Sequence, residues 1–434
     1  MTRADIILWG SRIGATLWSP ERELGSFEYD PEFLASGIEL APLTMPLRRG
    51  IYDFPELDRK SFHGLPGLLA DSLPDKFGNL LINQWLAQQG RSPSSFNPVE
   101  RLCYTGRRGM GALEFKPAVR TGATHTDSAL DIAPLVKLAN QVINQRLEVK
   151  GRLEGGDDQA VLEDILRVGT SAGGARAKAV LAWNEDTGEF HSGQLDLRPG
   201  FRHWLMKFDG VSGNADKEVA DPQGYGRLEY ACHLLALKAG IEMAPCRLHE
   251  EGGRAHFMTQ RFDRTSTGGK LHMQSLGAMR HFDFNRARAS SYEQAVETVR
   301  RLEIGPDAIE QLVRRALFNI VIRNQDDHVK NIAFLMDRRG AWSLAPAFDV
   351  VYAYNPDGQW TSEHQMTLGG KTDRFEQDDL IAFGRYADLK PPRLKALLAE
   401  IFDAVEQWRD IAGQAGVSDK MLTTTLGFFR HYLA

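Results

Sequence analysis

The sequence predicts an α+β chain in which a β-rich N-terminal subdomain precedes a mainly helical C-terminal lobe. Three observations carry that expectation. Residues 1–118 consist largely of short runs of strand formers separated by turn residues, Asp5–Leu17 and Phe27–Tyr29 among them. The middle of the chain alternates apolar runs with glycine-rich breaks around one well-patterned helix. From Pro306 onward, apolar residues recur mostly at helical spacing.

Each element has its own justification. Leu69, Leu73, Phe77, Leu80, Leu81 and Trp85 follow a helical period, and Pro74 implies a break within it. Arg101–Phe115 contains Gly106, Gly109 and Gly111 and reads as a turn leading into a strand. Thr121–Ser128 reads as a polar linker, Ser128–Arg146 as a helix and Gly151–Gln159 as an exposed break. Gly169–Lys178 then leads into a strand at Ala179–Trp183, with Asn184–Gly188 as a hairpin turn. Trp204–Phe208 is a further strand and carries Lys207. Tyr225–Ala239 places Leu228, Cys232, Leu235 and Ala239 on one helix face, closed by Gly240, and Phe257–Phe262 is again a strand. Pro306 and Asp307 open a helix with an apolar face from Ile309 to Ile320. Ile332–Met336 and Ala341–Leu344 form a hairpin that ends at Pro346–Asp349, and Leu394–Trp408 carries an apolar stripe.

Composition excludes several classes. With 42% apolar and 25% charged residues, the chain of 434 residues is that of a globular protein. Fifty-two basic against 57 acidic residues give a net charge of −5, so no overall field draws in nucleic acid or anionic membrane. Three widely spaced cysteines make neither a disulfide framework nor a zinc site. No apolar run is long enough to cross a bilayer, and no signal peptide is read at the N-terminus. A cytoplasmic enzyme or regulator is expected.

The chemistry is concentrated in Asn324-Gln-Asp-Asp-His-Val-Lys-Asn331, directly after the helix that Pro306 opens. Asp326 and Asn331 stand five apart, the spacing of the base and the metal-binding amide in a protein-kinase catalytic loop; a hairpin and a second carboxylate, Asp349, follow. Phosphoryl transfer needs that order: a carboxylate at the attacking hydroxyl, and hard oxygen donors that hold Mg²⁺ against the nucleotide phosphates. Asp326 is therefore the expected base, Asn331 and Asp349 the expected metal ligands, with His328 and Lys330 supporting charge at the transferred phosphoryl. Asp327 is expected to add a carboxylate near the metal. Upstream, Gly169-Thr-Ser-Ala-Gly-Gly-Ala-Arg-Ala-Lys178 has the small residues of a phosphate-cradling loop without being a Walker A sequence. Lys207 is the natural partner for nucleotide phosphates, and Glu229 on the next helix is a candidate to orient it.

These motifs, with Gly67-Leu-Leu-Ala-Asp-Ser-Leu-Pro-Asp75, Gly106-Arg-Arg-Gly-Met-Gly-Ala112 and Ala345-Pro-Ala-Phe-Asp349, resemble the HipA-type serine/threonine kinases, toxins of type II toxin–antitoxin modules. The resemblance spans nearly the whole chain. It implies a two-lobed protein-kinase-like α+β fold: residues 1–120 as the β-rich N-terminal subdomain, 121–265 as the kinase N-lobe portion with phosphate loop and hinge, and 266–434 as the helical C-lobe. It implies ATP and Mg²⁺, and ATP contacts from Ser171, Ala172, Gly173, Gly174, Ala175, Lys178 and Lys207, with Gln260, Arg261 and Phe262 at the adenine hinge. Ser171 is the implied autophosphorylation site and Thr170 the neighbouring alternative. A protein substrate, such as an aminoacyl-tRNA synthetase, and a helix-turn-helix antitoxin that carries DNA binding are implied as partners. A small-molecule phosphotransferase and a catalytically silent, nucleotide-binding regulator are the alternatives.

Overall fold

The computed structural model describes residues 2–88, 90–116, 176–193, 199–210 and 223–434. In the N-terminal part, β1 (Thr2–Leu8), β2 (Ser11–Ser19), β3 (Leu24–Tyr29), β4 (Ile51–Tyr52) and β5 (Leu113–Lys116) form one antiparallel sheet in the order β4-β3-β2-β1-β5. The strand-forming run over Asp5–Leu17 is a hairpin, because Trp9 and Gly10 both take positive φ and reverse the chain. Four helices follow or interrupt these strands: α1 (Arg59–Phe62), α2 (Gly67–Ala70), α3 (Lys76–Gln88) and α4 (Pro98–Thr105). The break foreseen at Pro74 separates α2 from α3. The helix α4 occupies part of a segment expected to be a turn; its start is a capping box in which Asn97 and Glu100 satisfy each other's backbone N–H groups.

The second sheet has the order β7-β6-β8-β10-β9, from β6 (Lys178–Asn184), β7 (Phe190–Ser192), β8 (Phe201–Lys207), β9 (Cys246–Glu251) and β10 (Arg254–Gln260). Asn184 accepts the Asp186 and Thr187 N–H groups and so forms the turn of the β6–β7 hairpin. Helix α5 (Tyr225–Lys238) packs on β10. It comes so close at Gly226 that a Cβ there would collide with the Ala255 carbonyl oxygen. The opposite partner of this sheet comes from the N-terminal part: Phe77, Leu81, Ile82, Trp85 and Leu86 of α3 share one buried cluster with Ala179, Leu181, Trp204, Met206 and Met258.

The remaining chain forms the helical lobe. It comprises β11 (His272–Ser275), α6 (Leu276–Arg280), β12 (Ser290–Ser291), α7 (Tyr292–Arg301), α8 (Pro306–Ile322), β13 (Ala333–Met336), β14 (Trp342–Leu344), β15 (Met366–Thr367), α9 (Gln377–Tyr386), α10 (Pro391–Glu406), α11 (Trp408–Gln414) and α12 (Asp419–Phe428). The apolar faces expected on α8 and α10 meet in the largest core, with Leu312, Leu317, Ile320, Leu397 and Ile401 fully buried. Strands β11, β13 and β14 form a small sheet at the base of the site. Among the described residues, no helix is long and apolar enough to cross a membrane.

Candidate active site

Helix α8 ends where Arg323 adopts φ 56°, and the chain turns into the loop 324–331. Two bonds close that loop on itself: Asn331 N–H donates to the His328 carbonyl at 2.8 Å, and Asn331 Nδ2 donates to the Asp326 carbonyl at 2.8 Å. The second bond uses the nitrogen end of the amide, so the oxygen end, the one a hard cation takes, is not the end committed to the loop.

The β13–β14 hairpin then returns the chain to Asp349. There φ is 56°, a left-handed conformation that Asp tolerates better than most side chains. Asp349 Oδ1 accepts from Lys207 Nζ. The same ammonium donates to Glu229 Oε1 at 2.5 Å, and Glu229 Oε2 accepts from Arg176 Nη1 at 2.7 Å. Arg176 in turn stacks over the Tyr225 ring at 4.7 Å. Burial opposes the charge on Lys207, yet Asp349 and Glu229 outweigh it and hold the ammonium firmly protonated. Burial likewise opposes the Asp349 carboxylate, while Lys207, Lys178 and His328 keep it well below the ordinary carboxylate range.

Several expected residues thus converge: Lys207, Glu229, Asp349 and the loop bearing Asp326, His328, Lys330 and Asn331. Lys178 is 2% exposed and lies opposite Lys207 in the β6–β8 register. His328 Nδ1 is buried with no hydrogen-bond partner among the described residues. Lys330 Nζ sits 4.1 Å from the Phe284 ring centroid; burial lowers its pKa, while Asp71 and Asp75 oppose that shift. Phe262 packs against Phe348, ring centroids 5.4 Å apart, beside Asp349. Gln260 ends β10 opposite Trp204. The loop residues expected to contact ATP, Ser171, Ala172, Gly173, Gly174 and Ala175, with Thr170, lie outside the described residues.

One expectation changes. Asp327 does not join the metal carboxylates; it points into the helical lobe, where Tyr292 Oη at 2.7 Å, His364 Nδ1 at 2.8 Å and Gln365 N at 2.8 Å surround it. Burial opposes its charge, but those three groups hold its carboxyl below the usual range. The Arg261 side chain is 1% exposed and committed elsewhere: it donates to both oxygens of Asp263, at 2.9 and 2.7 Å, and to the Gly109 carbonyl. Arg264 and Gly111 N–H also bind Asp263, so this cluster fastens the glycine turn of the N-terminal part to the end of β10. Sequence reasoning missed Asp75 and Arg176; Arg176 follows the small-residue loop directly, and only its distant carboxylate partner reveals its role.

The donor set tests the expected metal. The Asp349 carboxylate and the Asn331 amide oxygen are hard donors, suited to an Mg²⁺ ion that keeps several waters. Among the described residues no group of three or more His, Cys, Asp or Glu side chains is placed to hold a metal ion. The residues present fit Mg²⁺, and Asn331 and Asp349 are the ones that would hold it.

Comparison with known proteins bears on the fold and the family. The chain spans about half the length of the curated relative it matches: a Sinorhizobium fredii protein provisionally named kinase Y4mE is 25% identical over 226 residues, 47% of this chain and 53% of that protein. A solved HipA from Shewanella oneidensis MR-1, in complex with HipB and its operator DNA, superimposes with a TM-score of 0.65 at 17% identity, covering 99% of this chain and 95% of that one. The two-lobed kinase-like α+β fold expected from the sequence is therefore the fold adopted. The HipA N-terminal domain profile matches residues 4–116 and the HipA-like C-terminal domain profile residues 170–409, more than half of the chain, which places it in the HipA family.

Proposed function

We propose that this chain is an ATP- and Mg²⁺-dependent protein serine/threonine kinase that acts as the toxin of a toxin–antitoxin module. One observation carries the reading: a buried lysine held between a helix carboxylate and the carboxylate that follows the catalytic hairpin, with Asp326 and Asn331 on the adjoining loop. A nucleotide-binding scaffold has no physical need for that set together. Mg²⁺ held by Asn331 and Asp349 would neutralise charge on the nucleotide phosphates.

The chain's own groups supply the rest. Lys207 and Lys178 bind phosphate oxygens, and Glu229 fixes Lys207 in place. Asp326 takes the proton of the attacking hydroxyl as its oxygen bonds to the γ-phosphorus and the bond to the leaving ADP oxygen breaks. Lys330 and His328 stabilise the loop and the charge of the transferred group. The acceptor is a serine or threonine of a cytoplasmic protein, and Ser171 in the chain's own phosphate loop is a second acceptor. A phosphate there carries about −1.5 to −2 charge and repels nucleotide phosphates, which shuts the enzyme off. Similarity to a HipA solved with HipB and operator DNA supports an antitoxin partner through which the chain reaches DNA.

The test is intact mass after incubation of phosphate-free protein with ATP and Mg²⁺, wild type beside Asp326→Ala. One added phosphate, mapped to the peptide with Thr170 and Ser171 and seen in wild type only, is expected. No gain in either protein, together with no ATP binding, would sink the reading.

A further inference from the structure

Buried charge that the transfer reaction leaves unassigned converges on the turn between α2 and α3. Asp75 ends that turn with its side chain 5% exposed, and its Oδ2 lies 3.1 Å from Lys178 Nζ. Its Oδ1 accepts Gly78 N–H at 2.6 Å and so caps the first turn of α3. Asp71, at the start of the same turn, accepts from Ser275 N and Ser275 Oγ at 2.7 and 2.8 Å, which fastens the turn to the helical lobe. Lys178 stands directly opposite Lys207 on neighbouring antiparallel strands, so both side chains leave the same face of the sheet. One short segment of the N-terminal part therefore touches β6 at Lys178, next to Lys207 on β8, and the lobe that carries the loop 324–331.

We propose that Asp75 is a positioning residue of the nucleotide site: the N-terminal subdomain supplies the carboxylate that keeps the Lys178 ammonium charged and aimed, beside Lys207, at the nucleotide phosphates. This rests on the kinase reading above. Burial lowers the Lys178 pKa and Lys207 nearby adds to that shift, while Asp75 and Asp349 oppose it and favour the ammonium. A buried ion pair adds little stability over a well-packed apolar pair, so stability alone does not account for this one. A fixed positive charge next to the phosphate site does.

Asp75→Asn keeps an acceptor for Gly78 N–H and nearly the same shape, and removes only the charge. Affinity of the full chain for ATP in the presence of Mg²⁺, read by calorimetry beside Tm, is expected to fall about tenfold in Asp75→Asn and in Lys178→Met. The double variant should be no weaker than Lys178→Met alone, Asp75→Asn should keep the wild-type Tm within a few degrees, and Asp75→Glu should recover part of the affinity. Unchanged affinity in Asp75→Asn, or additive losses in the double variant, overturns the proposal. Wild type that binds ATP but transfers no phosphate overturns the kinase reading alone, and Asp75 is then judged on the same affinities. Wild type that binds no ATP overturns both.

Discussion

At the scale of single residues, the site is a set of charges held against burial, and each has a signed consequence. Asp349→Ala removes the proposed metal ligand and one partner of Lys207 while Glu229 remains; phosphate transfer should fall by about 10³-fold, measured as turnover at saturating ATP. Asp349 is held below its ordinary range. Its contribution to stability is therefore complete above the unfolded carboxylate value of about 3.9 and is lost as pH falls through the lower folded value. Asp75 has the opposite sign. Burial pushes its pKa up to about 6, against Lys178, Gly78 N–H and Lys330, which favour the charged form. Its contribution is fully present below the unfolded value and is lost as pH rises toward about 6. Urea unfolding of wild type and Asp75→Asn across pH 4 to 7 should show wild type losing ground to the variant as pH rises, with the two curves parallel above that window. A constant difference throughout would remove this account of Asp75. Asp326, Asn331 and Asp349 stand out in the sequence because their spacing is that of the base and metal-binding groups of a protein-kinase catalytic loop. Asp327 was misread for the same reason: adjacency in sequence says nothing of which way successive side chains point from a tight loop.

At the scale of elements, the geometry of the lysine bridge depends on how closely α5 lies on β10. Gly226 sets that approach. Gly226→Ala forces a Cβ against the Ala255 carbonyl, and overpacking of this kind costs about 1–3 kcal/mol. The helix should shift outward and carry Glu229 from Lys207, so turnover falls further than the loss of Tm accounts for; a fall in Tm with turnover intact would show that Glu229 follows the strand rather than the helix. The anchor at the other end of β10 is equally local. Asp263→Ala leaves the buried Arg261 and Arg264 without their carboxylate and should destabilise by about 3–5 kcal/mol in chemical denaturation. Periodicity located α3, α5, α8 and α10 because each buries a broad apolar face. It overlooked α4 and α7, whose starts are marked by capping boxes at Asn97 and Ser291 rather than by a long apolar stripe.

At the scale of the whole molecule, the N-terminal part and the kinase N-lobe share a core. Leu81 of α3 is fully buried against β6, β8 and β10 side chains, so Leu81→Ala should cost about 2–5 kcal/mol. Calorimetry should show the N-terminal sheet and the N-lobe melting in one transition, lowered as a unit by that substitution; a separate early transition for the N-terminal sheet would contradict the shared core. The order of the domains was legible in composition and motif, but this contact was not. Nothing in the pattern of α3 names the surface its apolar face covers, and the Asp75–Lys178 pair joins residues separated by a long stretch of chain.

The backbone at Asp349 has a consequence for how such a chain would lose the proposed activity over generations. A left-handed φ there is comfortable for Asp, Asn and Gly and strained for nearly everything else. Single changes that silence transfer without disturbing the hairpin are thus almost confined to Asn and Gly, while Glu, the chemically conservative replacement, carries a conformational penalty. A lineage that kept the fold for binding alone would be recognised by one of those two residues at position 349, with Lys207 and Glu229 still paired behind it.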